Sequence, residues 1–263
     1  MLKYTLPALS ANANLKLNTL QAKVNTFTTR KEQYDEAKKL FANKTNATWV
    51  EIKKVLADFA PKGKACYYCE RDRHRDVEHI SPKLHYPERC FDWENYIYAC
   101  TICNQDMKND TFAVFDAGGN VVEFNRTYDI ALPLPIGPAV LIDIRHEDPL
   151  NFLILNLETG RFAARGNAIS KKRGEFTRGL FDLNESSLAD IRIAAFEMYC
   201  MYLKKFKSAI DEGDAVKANR AFDEIMKLNH PTVLVEMRRQ SGLIPELMDL
   251  FDGVPEKIGK RPI

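Results

Sequence analysis

Apolar residues in the first 60 positions recur at helical spacing. Leu15, Leu17, Leu20, Val24 and Phe27 fall nearly on one stripe, and a charged segment from Arg30 to Lys39 leads into Leu40 and Phe41. The stretch from Thr45 to Gly63 opens with polar capping candidates. Trp49, Val50, Ile52, Val55, Leu56 and Phe59 then suit one helix face, and Pro61 and Gly63 end it. Residues 64–110 change character: cysteine, histidine and aromatic residues concentrate there, with short β-like pieces at 76–80 and 96–99. Between 111 and 165, short apolar runs alternate with turn residues, and the runs 139–144 and 152–157 read as strands or buried extended segments. From Ser186 the helical period returns, with Leu188, Ile191, Ala195, Met198, Tyr202 and Phe206 on one stripe. Further helices are expected over 214–228, 231–241 and 245–252. The pattern predicts an α+β protein, mostly α-helical. It divides into an N-terminal helical scaffold (1–63), a central unit (64–112) and a mixed, then helical, C-terminal region (113–263).

Composition narrows this little. The chain has 263 residues, 45% hydrophobic and 28% charged, which is ordinary for a globular protein. No apolar run approaches the roughly 20 residues of a membrane helix, so no membrane association is expected. The N-terminus lacks the pattern of a secretory signal, which makes the cytoplasm the expected compartment. A net charge of +2 does not by itself announce a nucleic-acid binder. Two local basic stretches are candidates for neutralising phosphates, or else solvated surface: Lys62, Lys64, Arg71, Arg73 and Arg75, and then Arg161, Arg165, Lys171, Lys172, Arg173 and Arg178.

Six cysteines in a reducing compartment read as metal ligands or redox centres. Cys66-x-x-Cys69 and Cys100-x-x-Cys103 can supply four thiolates to one tetrahedral zinc. Four sulfurs leave no open coordination position, so such a zinc is structural. The 30 residues between the pairs exceed ordinary zinc-ribbon spacing and imply that the loop carries something of its own. A pair of redox sites or plain core cysteines are the competing readings, and the redox one predicts a thioredoxin-like context that is not seen around Cys66. Cys90 and Cys200 lack partners at ligand spacing and are expected to be packed or surface thiols.

The loop and its flanks carry Glu78-His79-Ile-Ser-Pro-Lys83, Asn95, and Asn104 directly after the last cysteine, with Lys108 beyond it. On a strand, Glu78 and His79 point to opposite faces, so a bulge or twist is needed to aim both at one phosphate. Asn104 is expected near a helix start, and a zinc would clamp that helix against the hairpin bearing His79. His74 and His85 lie off this pattern and are expected at the surface.

Over residues 64–110 the order C-x-x-C, E-H-x-x-P-K, N, C-x-x-C-N-x-x-x-K resembles the HNH endonuclease family, whose fold is a ββα-metal unit. That resemblance implies roles residue by residue. His79 would be the general base that activates water. Glu78 and Asn104 would hold one catalytic divalent cation, and Asn95 would brace the loop. Oxygen ligands favour Mg2+ or Mn2+ there. Lys83 and Lys108 would contact phosphates, with an exposed charge the alternative for each. Glu78 stands where aspartate is commoner, and Asn104 where the family's last histidine often stands.

The phrases CYYCE, EHISPK and FDWENYIYACTICNQDMK look like the HNH nuclease subunit of Septu-type anti-phage defence systems and related retron-associated nucleases. The stretch Leu141 to Pro149 and the later Leu183-Asn184, Leu188 and Arg192 fit those proteins more loosely. The resemblance implies nucleic acid as substrate, DNA more than RNA, and a gating partner, an ABC-type ATPase. No Walker motif occurs in this chain. A non-catalytic zinc-finger nucleic-acid-binding protein is the alternative function; it explains the cysteines but leaves Glu78, His79, Asn95 and Asn104 without a role.

Overall fold

The N-terminal pattern folds into three helices, α1 (Ala11–Val24), α2 (Arg30–Ala42) and α3 (Ala47–Asp58). Each begins at a polar cap that satisfies an otherwise orphaned amide. Ser10 accepts from the Ala13 amide, Asn46 accepts from the Trp49 amide, and Thr29 forms a reciprocal capping box with Glu32. The computed structural model describes residues 1–60, 65–73 and 75–259. Pro61, Lys62, Gly63, Lys64 and His74, each given a reading in the sequence, lie outside the described residues.

An antiparallel hairpin follows, β1 (Arg75–His79) with β2 (Tyr96–Cys100), and a short π-helix (Ile102–Lys108) continues directly from β2. Its wide turn closes where the Asn109 amide donates to the Asn104 carbonyl at 2.9 Å, an i→i+5 bond. Two more small hairpins come next: β3 (Phe112–Phe115) with β4 (Val121–Phe124), and β5 (Leu153–Asn156) with β6 (Arg161–Ala164). The segment 139–144 forms no strand: Val140, Leu141, Ile142 and Ile144 are buried, the chain bends at Leu141, and among the described residues its pairing with β3 is an isolated bridge between Val114 and Ala139. Helices α4 (Ala168–Leu180), α5 (Ser186–Asp211), α6 (Ala215–Lys227), α7 (Pro231–Gln240) and α8 (Pro245–Phe251) complete an α+β architecture that is about half helical. Among the described residues no helix is long and apolar enough to cross a membrane.

Two apolar cores meet at the first hairpin. One joins α1, α2 and α3 to Val77, Cys90, Phe91, Trp93 and Tyr96. The other joins the cysteines, Ile80, Ile97 and the C-terminal helices, and it also takes in Met1, Leu2 and Tyr4. The turn Cys66–Cys69 bridges the two. Tyr67 stacks on Tyr4 with ring centroids 3.9 Å apart and donates its hydroxyl to the Leu56 carbonyl at 2.7 Å. Tyr68 stacks on Phe181 at 3.7 Å. Buried Arg145 ties the segment before β2 to the second core, donating to the Trp93 and Tyr96 carbonyls at 2.9 Å each.

In the second basic stretch four of the six cations are engaged within the fold, while Arg165 and Lys171 are exposed. Arg161 donates to the Asn184 carbonyl, Lys172 to the Gly119 carbonyl and Arg178 to the Phe162 carbonyl. Arg173 binds Glu147 and the carbonyls of Val140 and Leu141. Each of these four donates to at least one backbone carbonyl of a neighbouring segment, satisfying an obligatory acceptor. In the first stretch, Arg71 is engaged by Glu185 and Ser187, and Arg75 by Asp72.

Candidate metal centre and adjacent cleft

The two cysteine pairs converge. The Sγ atoms of Cys66, Cys69, Cys100 and Cys103 all lie within 4.8 Å of one another, and all four residues are buried. Local structure explains this. Cys66 and Cys69 sit on a tight turn closed by the Glu70 amide donating to the Cys66 carbonyl at 2.9 Å, with Glu70 at φ 60°. Cys100 ends β2, and Cys103 lies in the first turn of the π-helix. The Tyr67 amide bonds the Tyr98 carbonyl at 2.9 Å and holds the turn against β2.

The donor set fits zinc. Four sulfurs about 2.3 Å from a tetrahedral ion stand roughly 3.8 Å apart along each edge. The Cys69 and Cys100 sulfurs are 3.8 Å apart. Burial pushes the Cys66 thiol up, so four enclosed thiolates need a cation to balance them.

Beside this centre lies a cleft of about 690 Å3. Glu78, His79, Lys83 and Asn104 all line it. The β1–β2 register runs unbroken from Arg75 opposite Cys100 to His79 opposite Tyr96, so no bulge realigns Glu78 and His79. Both residues nevertheless line the same cleft.

His79 is 3% exposed. Its ring packs 4.6 Å from Phe41 and 5.2 Å from Tyr96, centroid to centroid. Its Nε2 lies 2.9 Å from the Cys90 carbonyl oxygen. A carbonyl only accepts, so Nε2 carries the proton, and in the neutral ring Nδ1 holds the lone pair. Burial, with a further contribution from Lys83, holds this imidazole well below the usual histidine range and keeps it neutral.

Asn95 is fully buried. Its Oδ1 accepts from the Ser81 amide at 2.7 Å, and its Nδ2 donates to the carbonyls of Ser81 and Arg89 at 3.0 and 2.9 Å. It braces the loop between β1 and β2 and does not line the cleft. The loop in turn presents the Cys90 carbonyl to His79.

Lys108 departs from expectation. It is neither an exposed charge nor a surface phosphate contact, because its side chain is fully enclosed. Its Nζ donates to Glu78 Oε1 at 2.6 Å and to the His79 carbonyl at 2.8 Å. A buried ammonium needs such partners. His85, expected at the surface, is also buried, edge-on to the Phe124 ring at 4.9 Å. Cys90 is buried, which pushes its thiol up to about 12, and Cys200 is half-buried.

The cleft also draws on residues that no motif marked. Lys38, Phe41 and Lys44 come from α2 and its end, and Arg126 follows β4. They are scattered in sequence, so the charge runs pointed elsewhere. No protein-family model and no curated protein matches the chain.

Proposed function

We propose that the chain is a metal-dependent HNH-type endonuclease that hydrolyses phosphodiester bonds in nucleic acid. One observation carries this reading: a neutral buried imidazole, a carboxylate and an amide oxygen-bearing side chain line the same cleft, on a hairpin and helix that four converging cysteines tie together. Zinc in the cysteine site is structural on this reading. It couples the end of β2 and the π-helix to the turn before β1, a unit too small to hold this shape by apolar burial alone.

The roles then follow from the groups present. Nδ1 of His79 takes a proton from the attacking water, while the Cys90 carbonyl fixes the tautomer and ring orientation through Nε2. Lys108 holds one oxygen of Glu78 and leaves the other to a ligand. Glu78 and Asn104 would hold Mg2+ or Mn2+, which when bound supplies charge neutralisation at the phosphate. Asn95 positions the loop that aims His79.

A non-catalytic zinc-finger binder is the second reading. The engagement of Glu78 by Lys108 favours it, since that carboxylate already has a cationic partner. The role in anti-phage defence and the ABC-type ATPase partner extend the proposal on sequence resemblance alone. The test is incubation of the purified chain with supercoiled plasmid, single-stranded DNA and total tRNA, with Mg2+ or Mn2+, with and without an ATPase encoded beside it. Cation-dependent cleavage of at least one polymer is expected. Binding without cleavage under every condition decides for the second reading.

A further inference from the structure

Two of the cleft's three free cations come from outside the hairpin and helix, and the third from the loop between β1 and β2. Lys38 lies on α2, Lys83 follows β1, and Arg126 follows β4; all three line the cleft with His79 and Glu78. Lys38 and Phe41 are three residues apart on α2, which puts them on one face of that helix. Lys38 and Arg126 are exposed and Lys83 is partly so. Among the described residues none of the three forms an ion pair with a carboxylate. The two lysines lie over ring faces, Lys38 over Tyr34 and Lys83 over Phe41. The cleft's other lysine differs, because Lys44 is paired with Asp76, as buried Lys108 behind it is with Glu78. Asp106 and Asp110 are the carboxylates left facing the three free cations.

Unpaired cations that three separate segments bring to one cleft raise the local potential for an anion. A polymer with a phosphate at every nucleotide can engage all three at once. We propose that Lys38, Lys83 and Arg126 form a rim that grips the phosphodiester backbone next to the His79 cleft, so that α2 and the β3–β4 hairpin belong to the nucleic-acid site. The proposal rests on the nuclease reading for its substrate, but it stands on its own as a statement about binding.

The test uses the full-length chain carrying His79→Ala, without divalent cation, so that no cleavage intervenes. Binding of fluorescent duplex DNA and duplex RNA is followed by anisotropy across a salt series. Lys38→Ala, Lys83→Ala and Arg126→Ala are each expected to weaken binding several-fold. Each should also flatten the plot of log affinity against log salt by about 0.9. Lys171→Ala, exposed on α4 and outside the cleft, should change neither. The two polymers report whether the rim distinguishes DNA from RNA. Parental affinity and slope in all three variants, or no binding of either polymer, overturns the proposal. Cleavage by the wild-type chain with Mg2+ is measured separately. Rim-dependent binding without any cleavage sinks the nuclease reading and leaves the rim standing; cleavage with rim-independent binding does the reverse.

Discussion

The Lys108 ammonium lies 2.6 Å from Glu78 Oε1 and 2.8 Å from the His79 carbonyl, with its side chain fully enclosed. One lysine on the π-helix thus holds both the carboxylate and the backbone of the residue pair on β1. It supplements the cysteines as a second tie between helix and hairpin.

Breaking that tie from one side leaves a charge without its partner. Removal of one member of a buried pair costs about 3–5 kcal/mol. Lys108→Met is therefore expected to lower unfolding free energy by about that much in urea titration. The double variant Lys108→Met with Glu78→Gln should recover part of the loss, because no uncompensated carboxylate remains. A single variant as stable as wild type contradicts the buried pair.

Asn95 offers a different dissection. Asn95→Asp keeps the acceptor for the Ser81 amide but loses the donor to the carbonyls of Ser81 and Arg89. At about 1 kcal/mol per bond, with an added penalty for burying a charge, a loss of roughly 2–4 kcal/mol is expected. On the proposed reading the cleavage rate falls too, while zinc content stays at wild type. Unchanged stability would mean that the loop does not depend on this side chain.

The metal prediction is direct. Elemental analysis should find one zinc per chain, and stripping it with a strong chelator should melt the region between the two cores. Binding free energy at such structural sites is about 10–16 kcal/mol, much of it expressed as folding stability. Cys69→Ser should lose the zinc or hold it far more weakly. Full zinc occupancy and normal melting in that variant contradict the four-sulfur site.

A pH dependence follows from Glu147, whose carboxylate accepts from both terminal nitrogens of Arg173 at 2.5 Å. Burial alone would raise its pKa, but the Arg173 bonds outweigh this and hold it below the usual carboxylate range. A depressed folded pKa means that the stability it adds is present above the unfolded value, near 4.3, and is lost as pH falls through the folded value. Wild-type stability should therefore drop in acid below about pH 4.5, and Glu147→Gln should flatten that drop. Identical acid profiles would contradict the assignment. Arg173 also caps the carbonyls of Val140 and Leu141, so the pair fastens this buried segment to α4.

The reasons some of this was legible in the sequence are physical. The cysteine spacing is a local signal, and two knuckles leave few alternatives to one shared ion. Helices α1, α3 and α5 to α8 follow from apolar period and caps, and the β1–β2 hairpin from short β-like runs flanking the loop. Segment 139–144 reads as a strand or a buried extended segment. It forms no strand, because Thr177 and Arg173 take up the backbone groups of Val140, Leu141 and Ile142 that a ladder would pair. Helix α4 was hidden, because Lys171, Lys172, Arg173 and Arg178 read as a basic run, whereas the last three bond carbonyls of neighbouring segments. Lys108 could not be placed from sequence, since a lysine after a helix start is ordinarily exposed and its burial depends on Glu78 across the hairpin. Lys38 and Arg126 reach the cleft through folding of segments about 90 residues apart, and no local pattern encodes that meeting.

The proposed mechanism turns on the lone pair of one imidazole that the Cys90 carbonyl holds in place. Its most direct test compares initial rates of Mg2+-dependent cleavage for wild type and His79→Ala at matched zinc content and matched melting temperature, on whichever polymer the wild type cuts. Loss of a general base predicts a fall of 100-fold or more. Cleavage by His79→Ala at the wild-type rate would contradict the account.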